Sequence, residues 1–174
     1  MSSVVPTGVE EFFNEDEIIV SKTDTKGHIT YGNEVFIKLA KFDESELLGA
    51  PHNIIRHPDM PKAVFKLLWD TIQSGKEINA YVVNLAKDGS HYWVFANVTP
   101  SFDAENNIIG YYSVRRVPSQ EVLKETIIPL YKKLKELEDE GGVEKSIEYL
   151  TSILEEAGKS YEEFVFSLEY GKKQ

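Results

Sequence analysis

An arginine, a histidine and an aspartate fall within four positions of one another in the segment NIIRHPDMP, residues 53–61: Arg56, His57 and Asp59. Pro58 and Pro61 bracket the acid and restrict its backbone. A guanidinium can give paired hydrogen bonds to an oxyanion, and an imidazole changes charge near neutral pH. A carboxylate beside them orients the guanidinium or caps a helix. The residues that follow, MPKAVFKLLWDTIQS at 60–74, carry a helical pattern that stops at Gly75. Asp59 is expected to cap this helix and Pro61 to sit in its first turn. The charged cluster then lies on a loop against a positive helix end, which suits a ligand with anionic or carbonyl oxygens. Taken alone, the same residues also describe a capped loop with a surface ion pair.

The other candidates are uncharged. Trp69 lies on that helix with Phe65 and Leu68, and is either a stacking platform or core. Asn84 interrupts an apolar run and offers both an amide donor and a carbonyl acceptor. Tyr92, Trp93 and Asn97 follow on the next run, and Asn33 precedes a short helical stretch. His28, His52, His57 and His91 are the candidates for an axial haem ligand, and His52 and His57 are too loosely spaced to read as a metal site. No nucleophile–base pairing, phosphate-cradling glycine loop or paired carboxylates stand out, so an enzyme is not expected.

The elements that must hold these residues alternate in period. IIVSKT at 18–23 and HITYGN at 28–33 read as strands around the turn DTKG. EVFIKLAK at 34–41 is a short helix capped by Asn33, and Asp43 with Glu46 opens a second that ends at Gly49. After the 60–74 helix come strands at 78–86, 91–102 and 108–117. AKDGS at 86–90 is expected as a three-residue hairpin loop with Gly89 left-handed. That register puts Asn84 near Tyr92, with Ala80, Val82, Val94, Ala96 and Val98 on the same face. Tyr81, Val83, Leu85, Trp93 and Phe95 take the other face. Both faces are apolar, so both need a cover.

The tail supplies one. Leu123, Ile127, Leu130, Leu134 and Leu137 form a helical seam, with a kink or restart expected at Pro129. EDEGG at 138–142 breaks it, Val143, Ile147, Leu150 and Leu154 resume it, and Ser160 with Glu163 opens a last helix. The reading is an α+β domain at 18–118, an antiparallel sheet with helices gathered on one face. It is preceded by a loose acidic segment at 1–17 and followed by a helical extension at 119–174.

The charge of −10 sits at the two ends, while residues 21–118 are balanced. Nucleic acid and anionic lipid are therefore disfavoured as partners. The absence of cysteine excludes disulfides, thiolate metal sites and cysteine–flavin photochemistry. With no basic, apolar leader and no stretch near the ~20 apolar residues of a membrane span, a soluble cytoplasmic protein is expected.

The segments ITYGNEVF, GAPHNIIRHPDMPKAVFKLLW, NLAKDGSHYWVFANVTP and GYYSVRR resemble the PAS domain of bacterial aerotaxis receptors over about residues 20–117. Within that type, the chain resembles the stand-alone CetB-type proteins of energy taxis. The resemblance implies a five-stranded PAS fold, non-covalent FAD and redox signalling to a membrane-bound chemoreceptor-like partner, with a homodimer compatible. It implies cofactor-binding roles for Arg56, His57, Asp59, Trp69, Asn84, Asn33, Tyr92, Trp93 and Asn97. Ile78 stands where the family has a tryptophan, and Leu85 and Ala86 replace an arginine pair. A haem-binding PAS gas sensor and a ligand-free PAS interaction module are the alternatives.

Overall fold

The structure is a computed structural model that describes residues 4–171. The six residues at the extreme ends of the expected first and last segments lie outside it. Strands β1 (Ile19–Thr23), β2 (Ile29–Gly32), β3 (Ile78–Leu85), β4 (His91–Phe102) and β5 (Ile108–Arg116) form one antiparallel sheet in the order β2-β1-β5-β4-β3. The first hairpin therefore pairs through β1 with the last strand, which puts β2 and β3 on opposite edges.

Local signals in the sequence set most element ends. Asn33 accepts the Phe36 N–H at 3.0 Å and starts α1 (Glu34–Ala40). Glu46 accepts the Asp43 N–H at the start of α2 (Glu44–Leu47). A 3-10 turn, His52–Ile55, leads through the charged loop to α3 (Lys62–Gln73), which ends before Gly75 at φ 89. In the β3–β4 hairpin Asn84 pairs with Tyr92, in the register expected from its turn. Gly89 sits at φ 90, and a Cβ there would strike the Val5 carbonyl oxygen and the Thr7 methyl. Only glycine meets both the dihedral and the close approach.

That approach reflects a difference from the sequence reading. The start of the chain, expected to be loose, runs alongside the beginning of β4. Thr7 N–H donates to Gly89, His91 N–H to Val9 and Glu11 N–H to His91. Phe13 is buried, whereas Phe12 is exposed. The hairpin leaves a row of unpaired backbone groups at its end, and an extended segment satisfies them.

Beyond β5, α4 (Gln120–Val122) passes through a π-turn, Leu123–Ile127, into α5 (Ile128–Gly141). Pro129 falls in the first turn of α5, so the expected restart is a π-turn followed by a fresh helix. Helices α6 (Val143–Ala157) and α7 (Tyr161–Tyr170) complete the tail. Leu123, Ile127, Leu134, Leu150 and Val165 are buried in the same core as Tyr81, Val83 and Phe95. The Tyr131 ring meets Trp93 at 5.9 Å, and its hydroxyl donates to the Tyr81 carbonyl at 2.6 Å. The apolar outer face of the sheet is thus covered by the same chain.

Candidate functional site

The inner face of the sheet, α3 and the loop before it enclose a cavity of about 580 Å³. That volume falls inside the roughly 300–1,000 Å³ typical of small-molecule sites. Its walls are apolar: Ile55, Leu68, Trp69 and Ile72 from the helical side, and Val82, Ala96, Val98 and Tyr111 from the sheet. Trp69 and Tyr111 face each other at 5.3 Å between ring centres. Arg56, Lys26, Lys62 and Lys66 also line it, the three lysines being exposed, so its mouth is basic in an otherwise acidic chain.

The buried end is polar. Asn84 is only 4% exposed, and its Nδ2 amide is buried without a hydrogen-bond partner. Beside it on the lining is Arg115, 3% exposed, on the inner face of β5 opposite Ala96. One of its terminal nitrogens donates to Ser21 Oγ at 2.8 Å, and the other lies 3.3 Å from His52 Nε2. Ser21 Oγ is itself 3.0 Å from that nitrogen. The ring of His52 stacks on Phe36, and Arg115 lies over the same ring at 4.9 Å. Burial and the neighbouring guanidinium push His52 down to about 3, so it is neutral at pH 7 and Nε2 accepts. Burial also lowers Arg115 to about 10, which leaves it charged at neutral pH.

Arg56, Trp69 and Asn84, three of the residues singled out in the sequence, meet on this cavity. Arg56 is placed by its backbone, which bridges Asn84 on the edge strand. Its guanidinium lies 3.9 Å above the Phe65 ring. The others go elsewhere. His57 is buried behind the loop, where its Nδ1 accepts the Asp59 N–H and its ring meets His91 edge-on. Burial lowers its pKa, against the expectation of a group poised near neutrality. Asp59 is 84% exposed and caps nothing: Pro61, expected in the first turn, is the N-cap residue of α3 and gives no side-chain cap. The Ala63 N–H in the first turn is instead satisfied by Glu138 of α5, at 3.2 Å. A distant carboxylate has taken the place expected of Asp59.

Asn33 caps α1 and ties it to β1 through Ile18 and Val20. Tyr92 is fully buried next to Asn84 without lining the cavity. Trp93 points outward onto Tyr131, and Asn97 bonds Asn79 and Glu77. Ile78, Leu85 and Ala86 are buried away from the cavity, so the departures there leave its walls intact. The residues the sequence reading missed are Ser21 and Arg115, and His52 figured in it only as a metal or haem ligand. The signal was available: Tyr111, Ser113 and Arg115 alternate onto one face of an otherwise apolar strand, and a charge facing inward is unusual.

Residues 29–115 match the family model described as the PAS fold. The chain belongs to the PAS family. This PAS domain is of the aerotaxis-receptor type: it is 41% identical to the aerotaxis receptor of Escherichia coli (strain K12) over 120 residues. The match takes in 69% of this chain and 23% of that receptor. The nitrogen fixation regulatory protein of Klebsiella pneumoniae is 23% identical over 57% of this chain and 20% of its own length. The chain thus spans at most about a quarter of these relatives. Among solved structures, a light-oxygen-voltage domain studied with a flavin analogue superposes with a TM-score of 0.57 at 24% identity. It covers 65% of this chain and 86% of that one. The dark structure of the blue-light photoreceptor Aureochrome1 LOV gives 0.56 at 23% identity, over 64% of this chain and 83% of its own. These likenesses establish the PAS fold of the domain.

Proposed function

We propose that this chain is an FAD-binding PAS redox sensor that passes its signal to a membrane-bound chemoreceptor-like partner in energy taxis. The observation that carries the reading is the buried, unpartnered Asn84 amide on a cavity with an aromatic wall and a basic mouth. An amide left unpaired in a core costs about 1–3 kcal/mol, which a ligand acceptor would recover. Similarity to the aerotaxis receptor supports the same reading.

The residues present fit a flavin. Bound FAD would supply the electron chemistry, and the protein supplies a dry, oriented slot. Trp69 and Tyr111 offer ring faces, and Ile55, Leu68, Val82 and Val98 exclude water. Asn84 offers donor and acceptor to the polar edge of the ring system. Arg56, Lys26, Lys62 and Lys66 at the mouth suit the diphosphate of a dinucleotide. With no cysteine, the chain forms no thiol–flavin adduct. Among the described residues no helix is long and apolar enough to cross a membrane. A cytoplasmic domain meeting its partner at the membrane fits that.

The output route in this reading runs through the tail. Glu138 on α5 holds the first turn of α3, the helix that carries Trp69. It also interacts electrostatically with Arg56. A change in the slot therefore bears on the packing of α5 and α6. Purified protein is expected to show oxidised flavin bands, with FAD released on denaturation and identified by chromatography. Protein that stays colourless after incubation with FAD overturns this reading in favour of an interaction module, and a Soret band does so in favour of haem.

A further inference from the structure

The guanidinium of Arg115 is a buried charge that no carboxylate among the described residues pairs with. Its partners are the Ser21 hydroxyl and His52 Nε2, both neutral, and its Nε has none. The titratable group nearest to it in effect is the Tyr92 phenol, which burial raises to about 12, so it is neutral at pH 7 and supplies no counter-charge. A charge removed from water needs a counter-charge and filled hydrogen-bond positions. The cavity, which Arg115 lines, is where a ligand could supply them. The seat is also rigid: Ser21 is 1% exposed, and Phe36 beneath the pair is fully buried. Asn84, with its free amide, is on the same lining.

We propose that Arg115, fixed by Ser21 and His52, is an anion seat at the buried end of the cavity. It receives the edge of a planar ligand that carries negative charge, or gains it on reduction. The inference rests on the flavin reading for the identity of the ligand. It assigns Arg115, and not Arg56 at the mouth, as the residue that favours the electron-rich form of the cofactor. Arg56 is partly exposed at the mouth and has Glu138 as an electrostatic neighbour, whereas Arg115 is buried with no acid beside it among the described residues.

The test compares full-length wild type, Arg115→Met, Arg115→Lys and Arg116→Met, each loaded with FAD. Arg116 is the exposed neighbour and controls for net charge. Oxidised FAD affinity is read by fluorescence and the midpoint potential by spectroelectrochemistry. Arg115→Met is expected to lose at least tenfold more affinity for reduced than for oxidised FAD. For a two-electron couple that lowers the potential by about 30 mV. Arg115→Lys retains most of the wild-type value, and Arg116→Met shows no shift. A potential unchanged in Arg115→Met, or lowered equally in Arg116→Met, overturns the proposal. If Arg115→Met does not fold, Ser21→Ala, which frees the guanidinium, must lower the potential in the same direction. If wild type takes up no flavin, the flavin reading fails and the seat is tested alone in thermal melts. Benzoate, and not benzamide, must then stabilise wild type and leave Arg115→Met unmoved; equal responses overturn it.

Discussion

Two asparagines in this chain make opposite use of the same side chain. Asn33 uses both its amide oxygen and its amide nitrogen to hold β1 and the start of α1, whereas the amide nitrogen of Asn84 is buried without a partner. Asn84→Leu is therefore expected to raise or preserve the melting temperature of ligand-free protein, since it removes a buried unpaired donor. The same change abolishes flavin retention; loss of stability together with retained flavin would show that Asn84 is structural. Arg56→Ala is expected to weaken flavin binding at least tenfold in fluorescence titrations. It costs only about 0.5–1 kcal/mol of stability in denaturant melts, the scale of its contact with Phe65. His52 supplies a pH signature. Its folded-state pKa of about 3 lies below the ordinary 6.5, so between these values the unfolded chain binds a proton that the folded one does not. Stability is full above pH 6.5 and falls as the pH is lowered towards 3, by at most about 1.4 kcal/mol per pH unit from this group. In His52→Gln the slope is flatter over that window. An unchanged slope would mean that His52 is protonated in the native state.

Helix α3 lies between the cavity and the tail. Its inner side bears Trp69 and Ile72, its first turn is held by Glu138, and α5 and α6 pack against it. Glu138→Ala removes the acceptor for Ala63 N–H and for the Ser146 hydroxyl. Loss of a helix cap costs about 1 kcal/mol, and hydrogen exchange at Ala63 is expected to accelerate while that in β4 does not. Equal protection at Ala63 in variant and wild type would remove Glu138 from the signal route. The second tie is the tyrosine pair. Tyr131 bonds the Tyr81 carbonyl and the Tyr161 hydroxyl, joining β3, α5 and α7 at one buried point. Tyr131→Phe leaves both without that partner and is expected to cost about 1–3 kcal/mol in denaturant melts.

At the scale of the molecule, the tail completes the core. Tyr81, Val83 and Phe95 on the outer sheet face are at most 5% exposed because α5–α7 lie over them. A chain ending after Val117 would present those side chains to water as one apolar patch, next to a two-sided sheet. Such a fragment is expected to aggregate or dimerise through that face in size-exclusion chromatography. A monomeric fragment that keeps the native melting temperature would show the tail to be an appendage. The same packing lets the tail carry a signal, since both walls of the cavity touch it: α3 directly, and the sheet from behind.

Much of this was legible in the residues alone. Period-two alternation, turn glycines and capping pairs are local properties, so the five strands, the hairpin register and the two covered faces followed from sequence. Arg56, Trp69 and Asn84 were singled out through the family resemblance, and the fold brings all three onto the cavity. The errors came where a partner is remote. Asp59 is a good cap by type, but Glu138, dozens of positions away, reaches the α3 terminus first because α5 folds back there. His57 has the chemistry of a sensor, but packing against His91 and the Asp59 backbone turns it away from the cavity. Trp93 and Asn97 lie on the outward alternation of β4, and only the docking of the sheet decides which face holds the ligand. Arg115 is the sharpest case. Its charge could be read in sequence, but not that β1, β5 and the 52–55 turn converge on it and leave it without an acid. Charge and hydrogen-bonding type belong to the residue; whether they are satisfied is decided by what the fold brings within about 3 Å.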